Sequence, residues 1–243
     1  MQRFLTDFVP TYLPDLLAGA VVTLELSFAS MAAGLLIGLS VAIGRLSSFR
    51  ALRWPLDAFV EIWRDVPLIV QLLVIYFTLP QLGVSLPAFW AAVVGLSLNL
   101  GAYISEVFRA AILSIDNGQT IAGRSIGMSQ MQIYRHIVLP QAFVVSLPTL
   151  GGYFIALLKD SSLVSFISVN ELLRHGTIII SSTFQSMQTY FLVAVVYFVM
   201  SFVASRLIRR LEHSMSFESR HKRWSGAHAK ADIAVVTDTK ALP

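Results

Sequence analysis

Apolar residues run along this chain in blocks longer than the interior of a soluble domain uses. Residues 24–44 carry no charge except Glu25 at one end, and residues 87–108 and 187–208 form comparable blocks. Residues 141–158 are a shorter block, interrupted by Pro148 and the pair Gly151-Gly152. A helix rising about 1.5 Å per residue needs about 20 apolar residues to cross a hydrocarbon core about 30 Å thick. Each block is therefore predicted to be a membrane-spanning helix, with the breakers tolerated where neighbouring helices satisfy the freed backbone. A fifth span is predicted over residues 55–79. Its second half is apolar but short, and its first half carries Asp57, Glu61, Arg64 and Asp65. Two readings fit: an interfacial helix followed by a re-entrant piece, or one helix whose charged half packs against protein. The second is preferred, because Arg64 can partner either Glu61 or Asp65 and so lower the cost of burial, with Pro67 bending the helix just beyond.

Composition sharpens this picture. Only 13% of the 243 residues are charged, 56% are hydrophobic and the mean hydropathy is +0.70, against about 25% charge in soluble domains. The absence of cysteine excludes a disulfide scaffold. The net charge of +4 is not a nucleic-acid signal once the charges are placed. Of the 18 Lys and Arg, fourteen fall on one side of a five-span layout, in the loops after the first and third spans and beyond the last. Arg3, Lys159 and Arg174 fall on the other side, and Arg64 lies within a span. By the positive-inside rule the N-terminus is expected outside and the C-terminus in the cytoplasm. Residues 1–15, with one Arg, two Asp and two Pro, make a poor signal-peptide start, so the first span is expected to be retained. Residues 1–213 are expected to form one transmembrane domain and residues 214–243, polar and mixed in charge, a flexible cytoplasmic tail.

The loop of residues 110–140 sits on the positive side. Asp116-Asn117-Gly118 is a turn signal, residues 119–125 are helix-compatible, Gly127 ends that helix and Ser129 can cap a second one reaching His136. Leu139-Pro140 is expected to close the loop where the fourth span begins. This pattern resembles the EAA loop of ABC-transporter permease subunits: Ile121-Ala122-Gly123, Gly127, Ile137, Leu139 and Pro140 keep its spacing. Ile121 stands where the family has Glu, and Gly123 where it has Ala.

Other blocks are similar to the polar amino-acid uptake branch of that family. They are Trp63-Arg64-Asp65-Val66-Pro67-Leu68 with Val70-Gln71-Leu72, the run from Ala102 to Arg109, and Lys159-Asp160-Ser161-Ser162-Leu163 with Val169-Asn170-Glu171-Leu172-Leu173. The resemblance spans about residues 16–210. It implies a type I importer-like, all-α permease in the bacterial inner membrane, paired with a second permease subunit, two cytoplasmic ATPase subunits and an external binding protein that delivers a small amino acid. It also implies that Gln119, Ile121, Ala122, Gly123, Gly127, Met128 and Ser129 meet the ATPase subunit.

Such a subunit does no chemistry of its own. No G-x-x-x-x-G-K-[ST] phosphate loop is present, so ATP and Mg are expected on the partner ATPase and no cofactor on this chain. His136, His175 and His213 have no metal-ligand spacing, so no metal site is expected. Asn99, Tyr103 and Glu106 share one face of the third span. Polar groups inside a bilayer face protein or water, so Asn99 and Tyr103 are candidates for a substrate pathway, with Glu106 structural. Gln71 and Asp160 are further pathway candidates, and Glu61, Arg64 and Asp65 a structural charge cluster. An opine or compatible solute fits the same class. An ion-gradient-driven transporter would be expected to show internal repeats, and none is seen. A membrane-embedded enzyme lacks any clustered catalytic set.

Overall fold

The computed structural model describes residues 4–215, and every regular element among them is helical. Ser214 and Met215 of the expected 214–243 tail end the last helix; the rest of it, with all its charges, lies outside the described residues, as does Arg3. Among the described residues, four helical stretches are long and apolar enough to cross a membrane: Thr6–Arg45, Ala88–Leu113, Gln130–Ile167 and Ser186–Ser214. Their cores coincide with four of the blocks read from hydropathy, but the helices are longer. The first, α1 (Val9–Arg45), begins well before residue 24: Pro10 falls in the first turn, where a missing amide costs nothing, and the helix continues through Pro14.

The 55–79 block is not one bent helix. Helix α2 (Arg50–Asp65) stops at Val66, which is extended at φ −84° and ψ 131°, and α3 (Leu68–Leu73) restarts after Pro67. The proline ring crowds the preceding residue out of helical space, so Pro67 breaks the helix where a bend was expected. Helix α3 continues through a π-helical turn, Val74–Thr78, and a 3-10 turn, Leu79–Leu82, ending at Gly83 with φ +87°. Both pieces lie along α4 (Ala88–Leu113): Trp63 of α2 meets Asn99, whereas Leu72 of α3 and Ile75 of the π-helical turn pack on Gly95. Running opposite to α4, they pack on it as two consecutive pieces.

Helix α4 is the hub, packed by α1 along its length and also by α2, α3 and α7 (Leu139–Asp160). The α1–α4 contact is close because both helices present small residues there. Ser30, Gly34, Gly38 and Ala42 of α1, and Ser97, Gly101 and Ser105 of α4, are all buried and recur every fourth residue, a spacing that lets backbones approach. A central apolar cluster around Leu26, Leu96, Leu100, Ile104 and Leu157 fills the space between α1, α4 and α7.

Beyond α4 comes α5 (Asn117–Ser125), then α6 (Gln130–Ile133), a π-helical turn Tyr134–Val138, and α7 without interruption. Leu139 is the first residue of α7, but the chain reaches it through helix and not through an irregular loop. Pro140 falls in the first two positions of α7, directly after the π-helical turn, which carries the helix past it. At the far end of α7 a 3-10 segment, Ser161–Ile167, leads to α8 (Leu172–Thr183), a helix absent from the hydropathy pattern because it is half polar. Helix α8 packs on α1 and on α9 (Ser186–Met215).

Candidate functional site: a cavity at the helix break

A helix that stops inside the protein leaves carbonyl oxygens without partners. Here they are met from α3 and α4. Gln71 Nε2 donates to the Trp63 and Val66 carbonyls at 3.0 and 2.8 Å. Asn99 Nδ2 donates to the Trp63 carbonyl at 2.9 Å and to Gln71 Oε1 at 3.0 Å. Tyr103 donates its hydroxyl proton to the Arg64 carbonyl at 3.3 Å. The polar face of α4 thus holds the broken end of α2 in place.

That break opens onto a cavity of about 350 Å³ whose wall includes Arg64, Asn99, Tyr103, Tyr153 and Asp160. Three of the four pathway candidates, Asn99, Tyr103 and Asp160, come together there from α4 and the end of α7. Gln71 does not line the space; it is buried and spent on the break. Tyr153 carries no signal in the sequence, and Arg64 reads there as part of a structural charge cluster, yet both line the wall. The Tyr103 and Tyr153 rings lie 5.9 Å apart.

The expected ion pairs within Glu61, Arg64 and Asp65 do not form. Glu61 and Asp65 are exposed, and Arg64 lies 3.8 Å from Glu106 on α4. The reason is the amphipathic turn of α2, which brings Arg64 towards Glu106 of α4, while Asp65 borders the cavity without pairing with Arg64. Glu106 instead accepts from Arg45 at 2.6 Å and from Arg109 at 2.9 and 3.0 Å, while Asp57 binds Arg45 at 2.6 Å and Arg53 at 3.3 Å. These charges tie the ends of α1, α2 and α4 together.

In the 110–140 loop, Asp116 caps α5 by accepting from the Gly118 amide at 2.6 Å. Gly127 has φ +80°, which glycine adopts without strain, and the Met128 amide closes the turn on the Gly123 carbonyl. Ser129 and Gln132 form a reciprocal capping box. Gly123 is buried beneath Ile133, with no room for a Cβ, so it packs the two short helices together. Gln119, Ile121, Ala122 and Ser129 are exposed, and Met128 is half-buried.

At the opposite end, Glu171 is fully buried. Its carboxylate accepts from the Leu173 and Arg174 amides at 3.0 and 2.8 Å, capping α8, and from the Tyr197 hydroxyl at 2.7 Å. Thr23 of α1 receives the Leu172 amide at 3.2 Å. This node joins α1, α8 and α9. Its only sequence sign is an acid preceding an apolar helix.

These features define a polytopic helical protein whose broken helix and opposite charges face one cavity. The chain belongs to the family described as "Binding-protein-dependent transport system inner membrane component", matched over residues 34–217. It is thus a membrane permease component of a binding-protein-dependent ABC transporter. It is 41% identical over 192 residues to the probable amino-acid ABC transporter permease YckA of Bacillus subtilis, covering 79% of this chain and 85% of that one. It is 38% identical over 205 residues to the glutamine transport system permease GlnP of Escherichia coli, covering 84% and 94%. Among solved structures it matches a chain from the crystal structure of an amino acid ABC transporter with histidines. That match has a TM-score of 0.79 and 38% identity, and covers 85% of this chain and 96% of that one.

Proposed function

We propose that this chain carries a polar amino acid across the inner membrane of a bacterium as one half of an ATP-driven importer. The observation that carries the reading is the cavity at the helix break, where Arg64 and Asp160 bring opposite charges, and Asn99, Tyr103 and Tyr153 polar groups, to one space. A zwitterion needs both charges to leave water without a large desolvation cost. Five crossings follow if α2 and α3 count as one discontinuous span, with the N-terminus outside and the 110–140 loop in the cytoplasm, as the Lys and Arg distribution favours.

A second permease subunit completes the pathway in this reading, and an external binding protein supplies the amino acid. Two cytoplasmic ATPase subunits hold ATP and Mg and dock on α5 and the turn after it, through Gln119, Ile121, Ala122, Gly123, Gly127, Met128 and Ser129. Closure of the ATPase pair then biases the permease between two states of the cavity.

Asp160→Asn tests the reading. Removing the carboxylate that meets the cargo's ammonium is expected to lower uptake of a labelled amino acid into proteoliposomes about tenfold or more. Lys159→Gln, which does not line the cavity, is expected to stay within about twofold of wild type. Equal uptake by the Asp160→Asn and unmodified complexes would remove the cavity from the route.

A further inference from the structure

The charge cluster beside the cavity holds more cations than its acids can bind. Arg45, Arg53 and Arg109 take up both oxygens of Asp57 and both oxygens of Glu106, at 2.6 to 3.3 Å. Arg64 is the fourth guanidinium, and its 3.8 Å approach to Glu106 is beyond hydrogen-bond length. Its other contact is a stack 5.4 Å over the Tyr103 ring. The acids next to it in the chain, Glu61 and Asp65, form no ion pair with it, although Asp65 also borders the cavity. A guanidinium is weakly hydrated, always charged and shaped to grip a carboxylate with two parallel bonds. Arg64 and Asp160 both line the cavity.

We infer that Arg64 is the carboxylate-binding residue of the cavity, held loosely at Glu106 when the cavity is empty and drawn to the α-carboxylate of an amino acid when it is filled. This inference rests on the cavity being the transport route and adds the residue that reads the anionic end of the cargo. Glu106 keeps Arg45 and Arg109 throughout, so the exchange leaves the helix ends tied. It changes only the charge balance at Arg109, the last charge on α4 before the loop. Arg64 belongs to the site because it is the least satisfied cation there; the better-paired Arg45 and Arg109 are structural.

The test uses the whole complex with its ATPase subunits and binding protein in proteoliposomes, against a panel of the twenty labelled L-amino acids. Two readouts are taken for wild type, Arg64→Gln, Arg64→Lys and Asp160→Asn: uptake, and the melting temperature of the purified complex. Arg64→Gln is expected to lose about tenfold or more of the uptake of every amino acid that wild type accepts. Its melting temperature is expected to stay within about 3 °C, since no short hydrogen bond of the side chain is lost. Arg64→Lys keeps the charge without the fork and is expected to fall between the two.

Wild-type uptake by Arg64→Gln with reduced uptake by Asp160→Asn would overturn the role of Arg64 and leave the cavity as the route. Wild-type uptake by both would overturn the cavity reading as well. If Arg64→Gln melts much lower, Arg64→Lys decides through equilibrium binding of the amino acid that wild type takes up best. Weakened binding in a stable complex supports the assignment, and wild-type binding overturns it.

Discussion

Gly38→Val is expected to prevent the permease from assembling, with loss of the complex on size-exclusion chromatography and a destabilisation of about 3 kcal/mol or more. A Cβ at Gly38 would lie 2.5 Å from Ile104 Cγ2, 2.8 Å from Ile104 Cβ and 3.1 Å from the Gly101 carbonyl oxygen. Ile104 is fully buried and has no open space to turn into, so α1 and α4 would have to separate. Between helices in lipid no hydrophobic driving force compensates such a gap, since lipid tails are as apolar as the side chains; close packing of small residues is what holds the pair. The reciprocal change, Gly101→Val, meets Ile37 Cγ2 at 2.6 Å and is expected to fail in the same way. Gly152→Ala is the control: nothing lies within 4 Å of a Cβ there, and replacing a helical glycine is expected to be neutral or slightly stabilising.

Glu171→Ala is the second large loss, expected to cost about 3–5 kcal/mol by thermal or urea unfolding of the purified protein. The substitution strands the Tyr197 hydroxyl and the amides of Leu173 and Arg174, and leaves a void among α1, α8 and α9. Glu171→Gln keeps the shape and an acceptor and is expected to cost less. The pair also gives a pH signature. Burial outweighs the four donors around it and raises the Glu171 carboxyl above its ordinary value of 4.5. A carboxyl whose pKa is higher folded than unfolded binds the proton more tightly in the native state. Its contribution to stability is therefore greatest in acid and declines as pH rises from the ordinary value through the raised one. The melting temperature of the wild type is expected to carry that decline, and Glu171→Gln to lack it.

What could be read from the chain followed from locality. Long apolar blocks specify four spans because a bilayer demands about 20 apolar residues in a row. Asp116 and Ser129 announce helix starts because capping acts over two or three residues. The convergence of Asn99, Tyr103 and Asp160 was legible in part, since helical spacing puts the first two on one face. The remaining features depend on partners distant in sequence. Gln71 and Asn99 read as pathway groups until the break at Pro67 exposes carbonyls for them to satisfy. Arg64 reads as a partner of its neighbours Glu61 and Asp65, yet the rotation of α2 delivers it to Glu106, 42 residues on. Glu171 and Tyr197 meet only because α8 folds back on α1 and α9. Pro67 marked a disturbance, but whether it bends or breaks the helix depended on side chains of another helix ready to satisfy the freed backbone.

The central claim, that ATP on a partner drives an amino acid through this permease, is tested most directly by uptake into proteoliposomes. These would contain the complete transporter, with loaded binding protein outside and ATP either enclosed or omitted. The account predicts uptake of at least one labelled L-amino acid that requires both the binding protein and enclosed ATP. Uptake that persists without ATP and follows an imposed ion gradient would contradict it.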